Sequence, residues 1–121
     1  MKYCIKKGKI IDPAGDYVGI GDIVIEDGKI AAVGEEIPAE GCEILSAEGK
    51  LVFPGLIDLH THLREPGRED EETIATGTKA ALKGGFTAVA CMANTQPVAD
   101  NGVVISYILD KARKEALTKV Y

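Results

Sequence analysis

The amino-acid sequence predicts an α/β chain in which a small β-sandwich segment precedes the opening βα units of a parallel (β/α)8 barrel. Residues 1–52 hold short apolar runs of period two, punctuated by Gly, Pro and Asp-Gly turn signals. From residue 53 to 121, strand-like and helix-like stretches alternate in the order of parallel α/β architecture. A closed eight-stranded barrel takes about 250 residues, so a chain of 121 residues is expected to supply only its opening quarter and to leave the barrel incomplete.

Within the first segment, GDIVIEDGKIAAVG reads as a hairpin: Ile23 and Ile25 share one side of a strand, Asp27-Gly28 forms the turn, and Ile30 to Val33 return. KKGKIIDPAGDYVG has the same short-strand character. In the second segment a strand is expected from about Leu56, after Pro54-Gly55. The acidic run REDEET then places Glu71 and Glu72 in the first turn of a helix, where carboxylates meet the positive end of its dipole. Ile74, Thr78, Ala81 and Leu82 lie at helical spacing, and Gly84-Gly85 ends that helix near Lys83. FTAVACM reads as a strand buried on both faces. A second helix is expected over about 102–116, capped by Asp100 or Asn101, with a third strand beginning in TKVY.

The composition is that of a globular protein, 45% hydrophobic and 27% charged, with a net charge of −5 that argues against nucleic acid or an anionic membrane as the main partner. No apolar run approaches the roughly 20 residues of a membrane helix, and MKYCIKKGKI lacks the apolar core of a signal peptide. A cytoplasmic protein is expected. Cys4, Cys42 and Cys91 are odd in number and widely spaced, which suits reduced structural residues and neither a disulfide framework nor a thiolate zinc site.

The chemistry concentrates in DLHTHLREPG, residues 58–67. His60 and His62 are the only histidines. If the strand continues through them, alternation points both imidazoles to one side, and Arg64 extends the row. Imidazole suits Zn²⁺, Fe²⁺, Mn²⁺ or Co²⁺, two histidines alone are an incomplete site, and strand C-termini are where parallel α/β folds build active sites. From spacing and position alone, metal ligands and structural histidines are both open readings. Asp58 falls on the same alternation and suits either a bond that orients a histidine or one to nearby backbone. GTKAALKGG lacks the strand-to-helix context of a phosphate loop and reads as helix packing and termination.

The longer stretch FPGLIDLHTHLREPGREDEETIATGTKAALKGGFTAVACMANTQPVADN resembles the dihydroorotases of the bacterial type I group, within the amidohydrolase superfamily. The hairpin GDIVIEDGKIAAVG resembles the amino-terminal segment of that superfamily, so the resemblance covers effectively the whole chain. It implies that His60 and His62 ligate the more buried metal of a binuclear zinc centre. It also implies that His62, Arg64 and Asn94 contact substrate, with Arg64 and Asn94 on its carboxylate, although Ala93 stands where the family often has proline. The implied reaction is the reversible ring opening of dihydroorotate to N-carbamoyl-aspartate in pyrimidine (UMP) biosynthesis. A bound metal lowers the pKa of water towards about 7 and polarises the ring carbonyl, while a carboxylate moves the proton. The bridging carboxylate (a carboxylated lysine or an aspartate), two more histidines and the catalytic aspartate lie further along the family's barrel, so no catalytic residue is expected within these 121 residues and the isolated chain is expected to be inactive. The alternatives are a hydantoinase- or allantoinase-like cyclic amidohydrolase, and a truncated, non-catalytic homologue acting as a subunit partner. A homo-oligomer or an association with aspartate transcarbamoylase are the partners the resemblance implies besides the small-molecule substrate.

Overall fold

The computed structural model describes residues 1–121 as two compact units, Met1–Pro54 and Gly55–Tyr121. No helix in either is long and apolar enough to cross a membrane.

The first unit is a five-stranded sheet. Strand β1 (Lys2–Asp12) pairs antiparallel with β2 (Tyr17–Glu26), which pairs antiparallel with β3 (Lys29–Gly34). On the far side of β1, β4 (Glu43–Ser46) and β5 (Leu51–Val52) run parallel to it. The β2–β3 turn is the one the sequence predicts: Asp27 and Gly28 have φ of 50° and 76°, the pair of positive values that matches the twist of a two-residue hairpin. Cys4, Ile10, Ile23 and Val24 are buried.

The β1–β2 register slips between Ile5 and Gly8, where β1 carries one residue more than β2. Such a bulge leaves backbone groups without a ladder partner, and Asp22, 3% exposed, supplies it. Its Oδ1 accepts from Lys7 N at 2.9 Å, and its Oδ2 accepts from Lys6 Nζ at 2.5 Å and Ile37 N at 2.9 Å. Burial alone would raise the Asp22 pKa, but the hydrogen bonds from Lys6, Lys7 and Ile37 outweigh it and hold the carboxyl below its usual range.

The second unit is a parallel three-stranded sheet with two helices. Its order is β6 (Leu56–Thr61), β7 (Phe86–Cys91), β8 (Lys119–Val120), connected through α1 (Ile74–Lys83) and α2 (Gly102–Glu115). Leu63, Ile74, Val89, Val104 and Ile108 form its core. This unit is the opening part of the α/β barrel that the sequence predicts, and the β-rich amino-terminal sheet precedes it in the chain. Only one side of β6 is paired, and Leu59 on it is 77% exposed.

One element start differs from expectation. Glu71 and Glu72 precede α1 and do not form its first turn. Thr73 is the cap: its hydroxyl accepts from Thr76 N, and Thr76 Oγ1 accepts from Thr73 N, closing a capping box with threonine in place of the usual acid. Glu72 instead accepts from the Thr76 hydroxyl. Of the two candidates Asp100 and Asn101, it is Asn101 that caps α2, accepting from Val103 and Val104. Gly77 lets α1 approach the loop after β6, since a Cβ there would lie 2.6 Å from Leu63 Cδ2.

Candidate functional site

The carboxyl end of β6 carries both histidines. His60 lies within the strand and His62 one residue past its end. Their ring centroids are 5.1 Å apart with an interplanar angle of 65°, and both rings are exposed. Asp58 takes the second of its two expected roles: its Oδ1 accepts from the His60 backbone N–H at 2.9 Å.

Asn94 reaches this end from the β7–α2 loop. Its Oδ1 lies 2.9 Å from His62 Nδ1. With the amide oxygen as acceptor, Nδ1 carries the hydrogen, and Nε2 of a neutral ring keeps its lone pair. The amide's two N–H donors are left for another acceptor.

The contact depends on how the two loops are joined. Met92 N donates to Thr61 O and Gln96 N to Pro66 O, each at 2.9 Å. Next to Pro66, Gly67 has φ +102°, and a Cβ there would fall 2.1 Å from Gln96 O. Only glycine fits so close a backbone crossing at that φ. Gly67 N also donates to Glu69 Oε1 at 2.9 Å, and this bond draws the Glu69 carboxyl below its ordinary range.

Arg64 does not continue the row by alternation. The chain leaves the extended conformation there, with φ +61°, and Leu63 turns into the core. Arg64 Nε pairs with Glu71 Oε2 at 3.3 Å, and Glu71 also pairs with Arg68.

Glu65 is the residue that sequence reasoning missed. It is 3% exposed. Its Oε2 accepts from Ile74 N, the first residue of α1, at 2.9 Å, and its Oε1 lies 3.3 Å from Lys111 Nζ on α2. Hydrogen bonds to Glu115 and then Glu65 outweigh the effect of burial and hold the Lys111 ammonium above its usual range. The Pro66-Gly67 pair was the available signal, since a turn there folds Glu65 back towards the helix start. Cys91, packed beside the core, has its thiol pKa pushed up by burial.

No three side chains of the His, Cys, Asp or Glu type come together as a metal cluster. What these residues assemble is two adjacent imidazoles and an amide tied to one of them; Arg64 stands two residues on, on a strained turn, with its guanidinium on Glu71.

The sequence matches the dihydro-orotase-like family over residues 49–121. It is 59% identical over 108 residues to the dihydroorotase of Pelotomaculum thermopropionicum, covering 89% of this chain and 25% of that protein. It is 50% identical over 117 residues to the dihydroorotase of Acetivibrio thermocellus, covering 97% and 28%. Among solved structures, a D-hydantoinase superposes with a TM-score of 0.83 at 32% identity, over 99% of this chain and 26% of that one. The chain thus spans about a quarter of the length of the curated relatives it matches. With well over half of its residues matched, including both histidines, Arg64 and Asn94, the chain belongs to the dihydro-orotase-like family.

Proposed function

We propose that this chain carries the metal-ligand and carboxylate-binding edge of a zinc-dependent dihydroorotase, which opens the dihydroorotate ring reversibly to N-carbamoyl-aspartate in pyrimidine biosynthesis. The observation that carries this reading is the meeting of His60, His62 and Asn94 at one end of a parallel sheet.

The donor set fits the metal. Imidazole nitrogen is a usual zinc ligand, and the rings of His60 and His62 stand side by side, 5.1 Å apart and exposed, at the carboxyl end of β6. His60 and His62 are therefore the residues that would hold zinc. When bound, the ion acidifies water and polarises the ring carbonyl.

The remaining work assigned to these residues is binding and orientation. Asn94 holds the His62 ring through Nδ1 and offers its amide N–H groups to the substrate carboxylate. Arg64 offers a planar fork that suits two parallel charge-assisted bonds to the same carboxylate. Glu71 meets the guanidinium at Nε and restrains its plane. None of these 121 residues is assigned the proton transfer, which the resemblance gives to an aspartate elsewhere in the family's barrel. A hydantoinase-like reading draws on the fold shared with D-hydantoinase, but an arginine and an amide, donors that suit a carboxylate, favour dihydroorotate. Association with further copies or with an aspartate transcarbamoylase belongs to the same reading.

The test is turnover by the catalytically competent protein that contains these residues, followed by ultraviolet loss of dihydroorotate with metal content measured in parallel. Zinc-dependent ring opening is expected. A zinc-loaded protein that opens a hydantoin and leaves dihydroorotate untouched would overturn the proposal.

A further inference from the structure

We propose that Glu65 is a positioning residue that sets the carboxylate clamp by holding Arg64 in its left-handed conformation, an inference that rests on Arg64 acting as that clamp. Arg64 sits at φ +61°, and Glu65 N donates to Leu63 O at 2.8 Å across it. A bond between residues two apart around a positive φ is the rare, strained form of the γ-turn. For a residue with a Cβ that region costs about 1 kcal/mol or more, and it persists only where the surroundings over-determine it.

Both neighbours of Arg64 are anchored. Leu63, 1% exposed, packs with Ile74 and Val89 in the core. Glu65 is anchored by charge. A buried carboxylate is costly unless its oxygens are bonded, and here one accepts from the first N–H of α1 while the other faces Lys111. Lys111 is itself fixed by Glu115 at 2.7 Å.

Helix α1 has its own cap in Thr73 and Thr76, so initiating the helix does not require Glu65. What the carboxylate adds is a tie from the loop to both helices. The strained turn lies between that tie and the core, and its central side chain is the one assigned to substrate.

The test measures affinity for orotate and for uracil, the same ring with and without the carboxylate, in the catalytically competent protein. Arg64→Ala defines full loss of the clamp. Glu65→Ala is expected to weaken orotate binding by about tenfold or more while leaving uracil binding unchanged. Glu65→Gln should recover part of the loss, because its amide oxygen can still accept from Ile74 N. Circular dichroism and the thermal midpoint establish that each variant is folded. A folded Glu65→Ala that binds orotate like the wild type would overturn the proposal. If Glu65→Ala does not fold, Glu65→Gln and Lys111→Met carry the test, and wild-type orotate affinity in both would overturn it equally. If Arg64→Ala itself binds orotate normally, the clamp assignment fails and the role of Glu65 falls with it.

Discussion

Asn94 Oδ1 lies 2.9 Å from His62 Nδ1 across 32 positions of sequence, so a loop residue after β7 holds the ring of a histidine after β6. Asn94 holds the ring and, in the proposed function, also donates to substrate, and the two roles separate on substitution. Asn94→Ala loses both and is expected to raise KM for dihydroorotate about tenfold. Asn94→Asp keeps the acceptor for His62 but sets a negative charge where the carboxylate binds, and is expected to be worse than Ala. Steady-state kinetics of the two variants checks the order, and an aspartate variant with the lower KM would sink the assignment.

His60 and His62 are exposed and belong to no core cluster. Replacing either by Ala is therefore expected to weaken zinc retention by more than the 10–100-fold typical of losing a residue that merely supports a ligand. The metal-free thermal midpoint should stay within about 2 °C of the wild type. Competition with a chelator and thermal denaturation of the metal-free protein read the two quantities independently.

Asp22 makes a stability prediction. Removing one partner of a buried ion pair costs about 3 kcal/mol, and Asp22→Ala also strands Lys7 N and Ile37 N beside the β1 bulge. The pH dependence follows from the lowered carboxyl. The unfolded chain binds a proton here more readily than the folded one, so the contribution is complete above the ordinary aspartate pKa of 3.8 and is lost as pH falls through the lower folded value. Lys6 acts at the other end: the hydrogen bond from its ammonium to Asp22 raises its pKa above the ordinary 10.5. Its contribution is present below that value and fades as pH rises through the higher folded one. Denaturant titrations at pH 7 and pH 3 should show Asp22→Asn with a flatter acid dependence than the wild type.

The parts of this fold that the sequence displays are those with local codes. Asn101 announces α2 because its side chain bonds the N–H groups two and three residues on. Asp27-Gly28 announces its hairpin because only a few residue types tolerate two positive φ values in succession. The start of α1 was less legible. Glu71 and Glu72 have the charge a helix start favours, yet the carboxylate that bonds the first helical N–H is Glu65, nine residues upstream, brought there by tertiary packing. The site divides the same way. Alternation correctly brings His60 and His62 together, and it fails at Arg64, because burying Leu63 turns the chain into a conformation that periodicity does not encode.

Two glycines with positive φ offer a paired test. At Gly28, φ +76°, an added Cβ meets nothing within 4 Å, so Gly28→Ala is expected to cost only the conformational penalty, about 1 kcal/mol. At Gly67, φ +102°, the Cβ would fall 2.1 Å from Gln96 O, a backbone atom. Gly67→Ala should therefore cost about 2 kcal/mol or more and separate the two loops that bring His62 to Asn94. Thermal denaturation compares the stabilities, and only the Gly67 variant should also lose affinity for dihydroorotate.

The parallel sheet divides its residues into two populations. Those inside, Ile74, Val89, Val104 and Ile108, hold the strands and helices together. Those at the ends of β6 and β7, His60, His62, Arg64 and Asn94, contribute to none of that packing. Substitutions in the second population are expected to disturb the core less than those in the first. A fold built this way can change its end-of-strand residues while the interior stays as it is, and a D-hydantoinase shares this architecture at 32% identity.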